Sequence, residues 1–203
     1  MAPKEEIKEI VIQPPELGLF NIAVKAIEGS TYIPHRLTAE QVAGFMKREV
    51  GESKKKKIRD FDAEYESCFY FVGNPEDKKY GIPAPAFMSA ILDAAVACQI
   101  PKTQIKRAIR VLGDIYPLEY EKVRRRIDYP RRSGMTSAPD TRHRPEFVNW
   151  SAKLSIQYDK NQISPTQIAN LINQAGFSCG VGDWRPGAPK SSGTHGMFAV
   201  STD

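Results

Sequence analysis

The stretch from Trp150 to Asp159 alternates cleanly. Trp150, Ala152, Leu154, Ile156 and Tyr158 fall on one side, and Ser151, Lys153, Ser155 and Gln157 on the other. A period of two over such a length is a strand with one buried and one polar face. A helix signature follows: Ser164 as N-cap, Pro165 at the first helical position, a stripe of Ile168, Leu171, Ile172 and Ala175, and Gly176 as the stop. A one-faced strand next to a one-faced helix demands a sheet covered by helices on one side.

The remaining elements follow the same logic. Glu9 to Gln13 reads as a short strand ended by Pro14-Pro15. Leu19 to Ile27 is a strand with Phe20, Ile22, Val24 and Ala26 on one side. Thr38, with Gln41 three residues on, caps a helix carrying Val42, Phe45 and Met46. Tyr65 to Val72 is aromatic and β-prone, and Tyr80 to Pro83 is a second short strand that would pair with it across the Asn74–Asp77 turn. Pro85 opens a helix whose apolar face is Phe87, Ala90, Ile91, Ala94, Ala95 and Cys98, and Pro101 ends it. A short helix over 102–107, a strand over 108–112 and a final strand from Met197 to Val200 complete the set. Gly113 to Asp140, rich in Arg, Pro and Gly, reads as irregular, a functional loop or a disordered one. The order, stripped of insertions, is βαββαβ. The expected fold is therefore α+β, a ferredoxin-like or RNA-recognition-type sheet with one face open. It forms a single domain over 1–203, with insertions at 51–79 and 113–145 and a C-terminal glycine-rich loop.

That loop holds Gly176, Gly180, Gly182, Gly187, Gly193 and Gly196 together with Trp184, Arg185, Lys190 and His195. Clustered glycine costs backbone entropy and needs a reason, either positive φ or a close backbone approach. A glycine loop with a cation and an aromatic beside a sheet suits contact with a phosphodiester chain. Its plainer reading is a long connection whose Trp184 plugs the core, with Arg185 paired to Asp183 or a nearby carboxylate.

The net charge is +5, and its distribution says more than its total. Lys54, Lys55, Lys56 and Lys57 form one run. Lys122, Arg124, Arg125, Arg126, Arg131 and Arg132 form a second, and Arg142, His143 and Arg144 a third. Arginine forks phosphate oxygens bidentately, and such clusters release counterions on binding a polyanion. Arg142 and Arg144 either line the same groove or cap carbonyls. The three cysteines, Cys68, Cys98 and Cys179, are far apart and form no metal or disulfide framework. Free thiols and a charged N-terminus without a leader or spanning segment point to a cytoplasmic protein with no membrane partner. No Walker loop, nucleophile elbow or His-Glu-x-x-His motif is present, so no cofactor and no metal is expected.

The βαββαβ order, the segment Tyr80-Gly-Ile-Pro-Ala-Pro-Ala-Phe-Met-Ser-Ala90, and the segments Trp150-Ser-Ala152, Gly180-Val-Gly-Asp-Trp-Arg-Pro186 and Gly196-Met-Phe-Ala-Val200 resemble the RAMP superfamily. That superfamily includes the RNA-binding backbone subunits of class 1 CRISPR effectors and related phage or prophage proteins. The resemblance spans about residues 18 to 201. It implies a modified RNA-recognition fold that holds single-stranded RNA or DNA by its backbone, with insertions acting as fingers and thumbs. It also implies copies assembled side by side along the strand; a CRISPR-type complex is a candidate partner, but membership of one does not follow. The chain departs from the pattern in lacking the aromatic pair on the central strands.

The expected nucleic-acid contacts are Arg36, Lys54, Lys55, Lys56, Lys57, Arg124, Arg125, Arg126, Arg131, Arg132, Arg142, Arg144, Gly180, Gly182 and Arg185. The leading expectation is a binding protein with no catalytic residue. Two alternatives stand beside it. One is a metal-independent endoribonuclease with His35 as general acid or base, since processing nucleases of the superfamily use an early histidine. The other is an inhibitor that imitates a CRISPR backbone subunit.

Overall fold

The computed structural model describes residues 14–36, 43, 60–129, 141–189 and 192–201. Its elements are β1 (Leu17–Ala26), α1 (Phe61–Ser67), β2 (Gly81–Pro83), α2 (Ala84–Ala97), α3 (Lys102–Ala108), β3 (Ile109–Val111), β4 (Ile115–Glu119), β5 (Lys122–Asp128), β6 (Arg142–Val148), β7 (Ser151–Asp159), α4 (Pro165–Ser178) and β8 (Phe198–Val200). The chain is α+β. The main sheet runs β2-β4-β7-β1-β8, with β3 pairing the far end of β7, and every pairing is antiparallel. β5 and β6 form a separate two-stranded ribbon.

Alternation decides which face is covered. β1 and β7 pair from Leu17↔Asp159 to Lys25↔Ser151, which puts Ile22, Val24, Ala152, Leu154 and Ile156 on one side. All of these are buried. α2 and α4 cover that side with Phe87, Ala90, Ile91, Ala94 and Ala95 and with Ile168, Leu171, Ile172 and Ala175. The alanines let α2 lie close. α4 starts where the capping box is: Ser164 Oγ accepts from the Gln167 amide at 3.3 Å, and Gln167 Oε1 accepts from the Ser164 amide at 2.9 Å. The opposite face carries Leu19, Asn21 and Lys25 with Lys153, Ser155 and Gln157. Among the described residues no helix is long and apolar enough to cross a membrane.

Five expectations change. Tyr65 to Val72 is no strand: Asp60 caps α1 by accepting from the Asp62 and Ala63 amides at 3.0 Å each, and this local signal overrides β propensity. Only Phe71 keeps a bridge to Tyr80. The supposedly irregular 113–140 segment supplies β4, inside the main sheet, and β5. α2 ends at Ala97, so Cys98 is exposed and Leu92 takes the buried place. α4 runs past Gly176 to Ser178, because that glycine is where the β8 backbone crosses; a Cβ there would overlap the Phe198 carbonyl. Trp184 is half-buried with φ 55, and the indole that plugs the core is Trp150. The strand expected over Glu9–Gln13 lies outside the described residues, as does the helix from Thr38, Ala43 excepted.

Candidate functional site

β4–β5 and β6–β7 make one long hairpin, bent at Asn149, which takes φ 51. Its outer half is an arm. Lys122, Arg124, Arg125, Arg126, Arg142 and Arg144 stand there against only Asp128 and Glu146. At the base of the arm the Phe147 ring meets Tyr80 at 5.5 Å, Tyr120 at 5.1 Å and Phe69 at 6.0 Å. Phe147 also exchanges two backbone hydrogen bonds with Tyr32, at 2.9 and 3.0 Å. The arm is thus stitched to the segment that follows β1.

Directly opposed residues of an antiparallel pair share a face. The register Arg124↔Glu146, Arg126↔Arg144 and Asp128↔Arg142 therefore gathers four arginines and two carboxylates on one face. Like charges opposed across strands repel, so Arg126 and Arg144 need acids nearby. Arg126 Nε donates to Asp128 Oδ1 at 2.8 Å, and Arg144, which is buried, pairs with Asp183 from the glycine loop. Glu146 is buried and accepts from Arg124 Nε at 2.6 Å and Thr31 Oγ1 at 2.8 Å. Its burial pushes the carboxyl pKa up, but the bonds from Arg124 and Thr31 outweigh it and hold the group below its ordinary value.

One histidine completes this layer. Arg126 NH1 lies 3.2 Å from His195 Nε2, and His195 Nδ1 lies 2.8 Å from Thr31 Oγ1. A guanidinium only donates, so Nε2 must be the acceptor and Nδ1 carries the proton. The hydrogen bonds then run one way, from Arg126 to His195 to Thr31 to Glu146. Burial first, and Arg126 second, push the His195 pKa down, in keeping with a neutral ring.

Arg125 is turned to the other face. Its NH1 bonds Asp62 at 2.5 Å, its NH2 donates to the Phe61 carbonyl at 3.0 Å, and it lies over the Tyr65 ring at 5.0 Å. Its Nε donates to His143 Nδ1 at 2.9 Å, and His143 stacks on Phe61 at 4.6 Å. Arg124, Arg125 and Arg126 were all expected at the nucleic acid; strand alternation turns the middle one to the other face, where it docks α1.

The glycine loop is packed on the segment that follows β1. The Asp183 amide donates to the Ile33 carbonyl at 2.9 Å, and the Gly196 amide to Thr31 at 2.7 Å. Gly182 has φ 78, and a Cβ there would sit 2.5 Å from the Ile33 carbonyl. Gly182 serves the close packing of this loop on residues 32–33, which delivers Asp183 to Arg144, and Gly180 packs within the loop against Gly196, Arg185 and Pro186. Both glycines also border the cleft described next. Arg185 NH1 donates to the Gly182 carbonyl at 2.9 Å.

Between the loop and α2 lies a half-open cleft of about 320 Å³. His35, Tyr70, Ser89, Asp93, Asp183 and Arg185 are among its walls. The Tyr70 hydroxyl donates to the His35 carbonyl at 3.4 Å. His35 is exposed at the mouth, yet partial burial, then Arg144 and Arg142, push its pKa down to about 4. Arg36 is exposed beside it and stands close enough to Tyr70 to oppose the upward push of burial on that phenol.

The structure thus brings Arg124, Arg126, Arg142 and Arg144 together, and places Arg36 and Arg185 near the cleft. Lys54, Lys55, Lys56, Lys57, Arg131 and Arg132 lie outside the described residues. Thr31, Glu146, Asp183 and His195 were missed by sequence reasoning, and a lone acid inside the basic Arg142-His-Arg-Pro-Glu146 run was the one available hint. Among the described residues no group of three His, Cys, Asp or Glu is arranged to hold a metal ion. No protein-family model and no curated protein matches the chain.

Proposed function

We propose that this chain is a RAMP-like nucleic-acid-binding protein that grips a single strand of RNA or DNA by its phosphates along the β5–β6 arm. The observation that carries the reading is the arginine row of that ribbon: Arg124 and Arg142 are exposed on it, while Arg126 and the buried Arg144 brace it through Asp128, Glu146 and Asp183. Residues two apart on a strand repeat at about 6.6–6.8 Å, comparable with the spacing of neighbouring phosphates in an extended nucleic acid. Contacts of that kind position a strand without reading its sequence.

The sheet supports the same reading. With β3 and β4 taken as one broken strand, the order β8-β1-β7-β3/β4 and the helices α2 and α4 follow the ferredoxin-like pattern. The open face offers Leu19, Asn21, Lys25, Lys153, Ser155 and Gln157 and no aromatic on its central strands, so the grip falls to the arm. Copies side by side along a strand would meet near the sheet edges, where residues 70–72 cover part of β2 and Asn173 caps the Val200 amide of β8. Free Cys68, Cys98 and Cys179 suit a reducing compartment such as the cytoplasm.

The test is purification without nuclease, followed by binding of generic single strands over a range of salt. The expected result is co-purifying nucleic acid and a linear fall of log affinity with log salt, whatever the sequence. Absence of binding at low salt overturns the proposal.

A further inference from the structure

We propose that the cleft between the glycine loop and α2 takes one nucleobase, unstacked from the strand that the arm grips. The inference rests on the phosphate-gripping reading and adds a second contact to it. Its volume, about 320 Å³, suits one base with part of its sugar and not a larger partner. The cleft adjoins the arm: Asp183 in its wall is the residue that pairs with Arg144, and His35 at its mouth lies within electrostatic reach of Arg142 and Arg144. Arg142 is exposed on the arm, so a strand held there runs beside the opening.

The lining selects the ligand class. The charges in its wall are already engaged, Asp93 by Lys102, Asp183 by Arg144 and Arg185 by the Gly182 carbonyl, so the lining calls for neither a bare anion nor a cation. What remains is a neutral, flat group with both donors and acceptors on its edge, which describes a nucleobase. Tyr70 and His35 stand together in the lining, tied by the hydroxyl-to-carbonyl bond, and are two planar side chains there on which a base could stack. The lowered pKa of His35 keeps its ring neutral at pH 7, so it adds no charge there. The α2 wall is small-sided, with Ala86 and Ser89. The lack of aromatics on the central strands of the open face gives a base no competing platform there.

The experiment compares a short single strand carrying the fluorescent base 2-aminopurine with its fully abasic counterpart, each made as RNA and as DNA. Stacking one base implies a preference of at least about fivefold for the base-bearing strand, with a change in 2-aminopurine emission. Ser89→Trp fills the cleft from an exposed position on α2. It is expected to abolish the preference while leaving abasic affinity unchanged. Tyr70→Leu, a second variant, is expected to reduce the preference several-fold. Equal wild-type affinity for the two strands overturns the base pocket and leaves the phosphate grip standing. A preference that survives Ser89→Trp in folded protein also overturns the pocket. Binding of neither strand overturns the phosphate grip itself, and this inference with it.

Discussion

Replacing Glu146 by Gln separates an internal strut from a ligand contact. The carboxylate side chain is 6% exposed and is bonded by Arg124 and Thr31. Glutamine keeps the shape and one acceptor but removes the charge. A hydrogen bond to a charged group contributes about 1.5–3 kcal/mol, a neutral one about 1 kcal/mol. Breaking a fully buried ion pair costs about 3–5 kcal/mol, but the Arg124 side chain is 57% exposed and Arg126 30%, so water takes up much of the uncompensated charge. The expected loss is about 1–2 kcal/mol, read as a lower urea midpoint at unchanged slope. The loss depends on pH. A carboxyl whose native pKa is depressed stabilises the fold above its unfolded value, and that contribution disappears as pH falls through the native one. The gap between wild type and E146Q therefore closes toward acid. Affinity moves the other way: with Arg124 released and the net charge raised by one, strand binding at low salt holds or tightens. A variant as stable as the wild type at neutral pH refutes the buried hub. A folded variant that loses affinity several-fold refutes the strut and puts this carboxylate at the ligand.

Arg124→Ala is expected to lower the salt slope of binding by about 0.7–0.9, whereas Arg125→Ala leaves it unchanged because that side chain faces α1; equal drops in both would place α1 at the nucleic acid. Gly182→Val puts a β-branched residue at φ 78 against the Ile33 carbonyl, a strain of at least about 1–3 kcal/mol, and an unchanged thermal midpoint would show that the loop yields freely. Wild-type protein incubated with labelled RNA in chelator is expected to leave it uncut: a ring with a pKa near 4 is neutral at pH 7 and is a poor general acid there. Discrete products that vanish in His35→Ala would install the endoribonuclease reading instead.

The sheet and its two covering helices were legible because apolar periodicity is strong in β1, β7, α2 and α4. β5 was not. Lys122, Arg124, Arg126 and Asp128 occupy one of its faces, and Arg125 interrupts the apolar Val123 and Ile127 of the other, so the alternation of apolar with polar is broken. Its order comes from acids elsewhere in the chain and from α1 behind it, both tertiary facts. The glycine loop was visible as a loop with a job, but composition cannot tell a ligand cradle from close backbone packing. The packing partner, Ile33, lies about 150 positions earlier. The basic residues of the site were readable one by one; their partners were not. Thr31 and His195 meet across a separation of 164 residues, and nothing local in either segment announces it.

The pairing of arginines inside the protein bears directly on how the arm can hold a phosphate. Arg124 meets Glu146 through Nε, while both terminal nitrogens of Arg125 are taken by Asp62 and the Phe61 carbonyl. The Arg124 fork therefore remains available for two parallel bonds to phosphate oxygens. Arg126 spends Nε on Asp128 and NH1 on the layer of His195 and Glu146, and Arg144 is sealed against Asp183. The ladder divides its labour: Arg144 and Arg126 hold the arm to the glycine loop, and Arg124 presents a cation at the surface. A carboxylate behind a guanidinium weakens its field at long range, yet it also fixes the side chain before the ligand arrives, and less rotamer entropy is lost on binding. Removing the acid should therefore help most where the long-range field governs, in the association rate at low salt. It should help least in the dissociation rate, where the fixed fork matters.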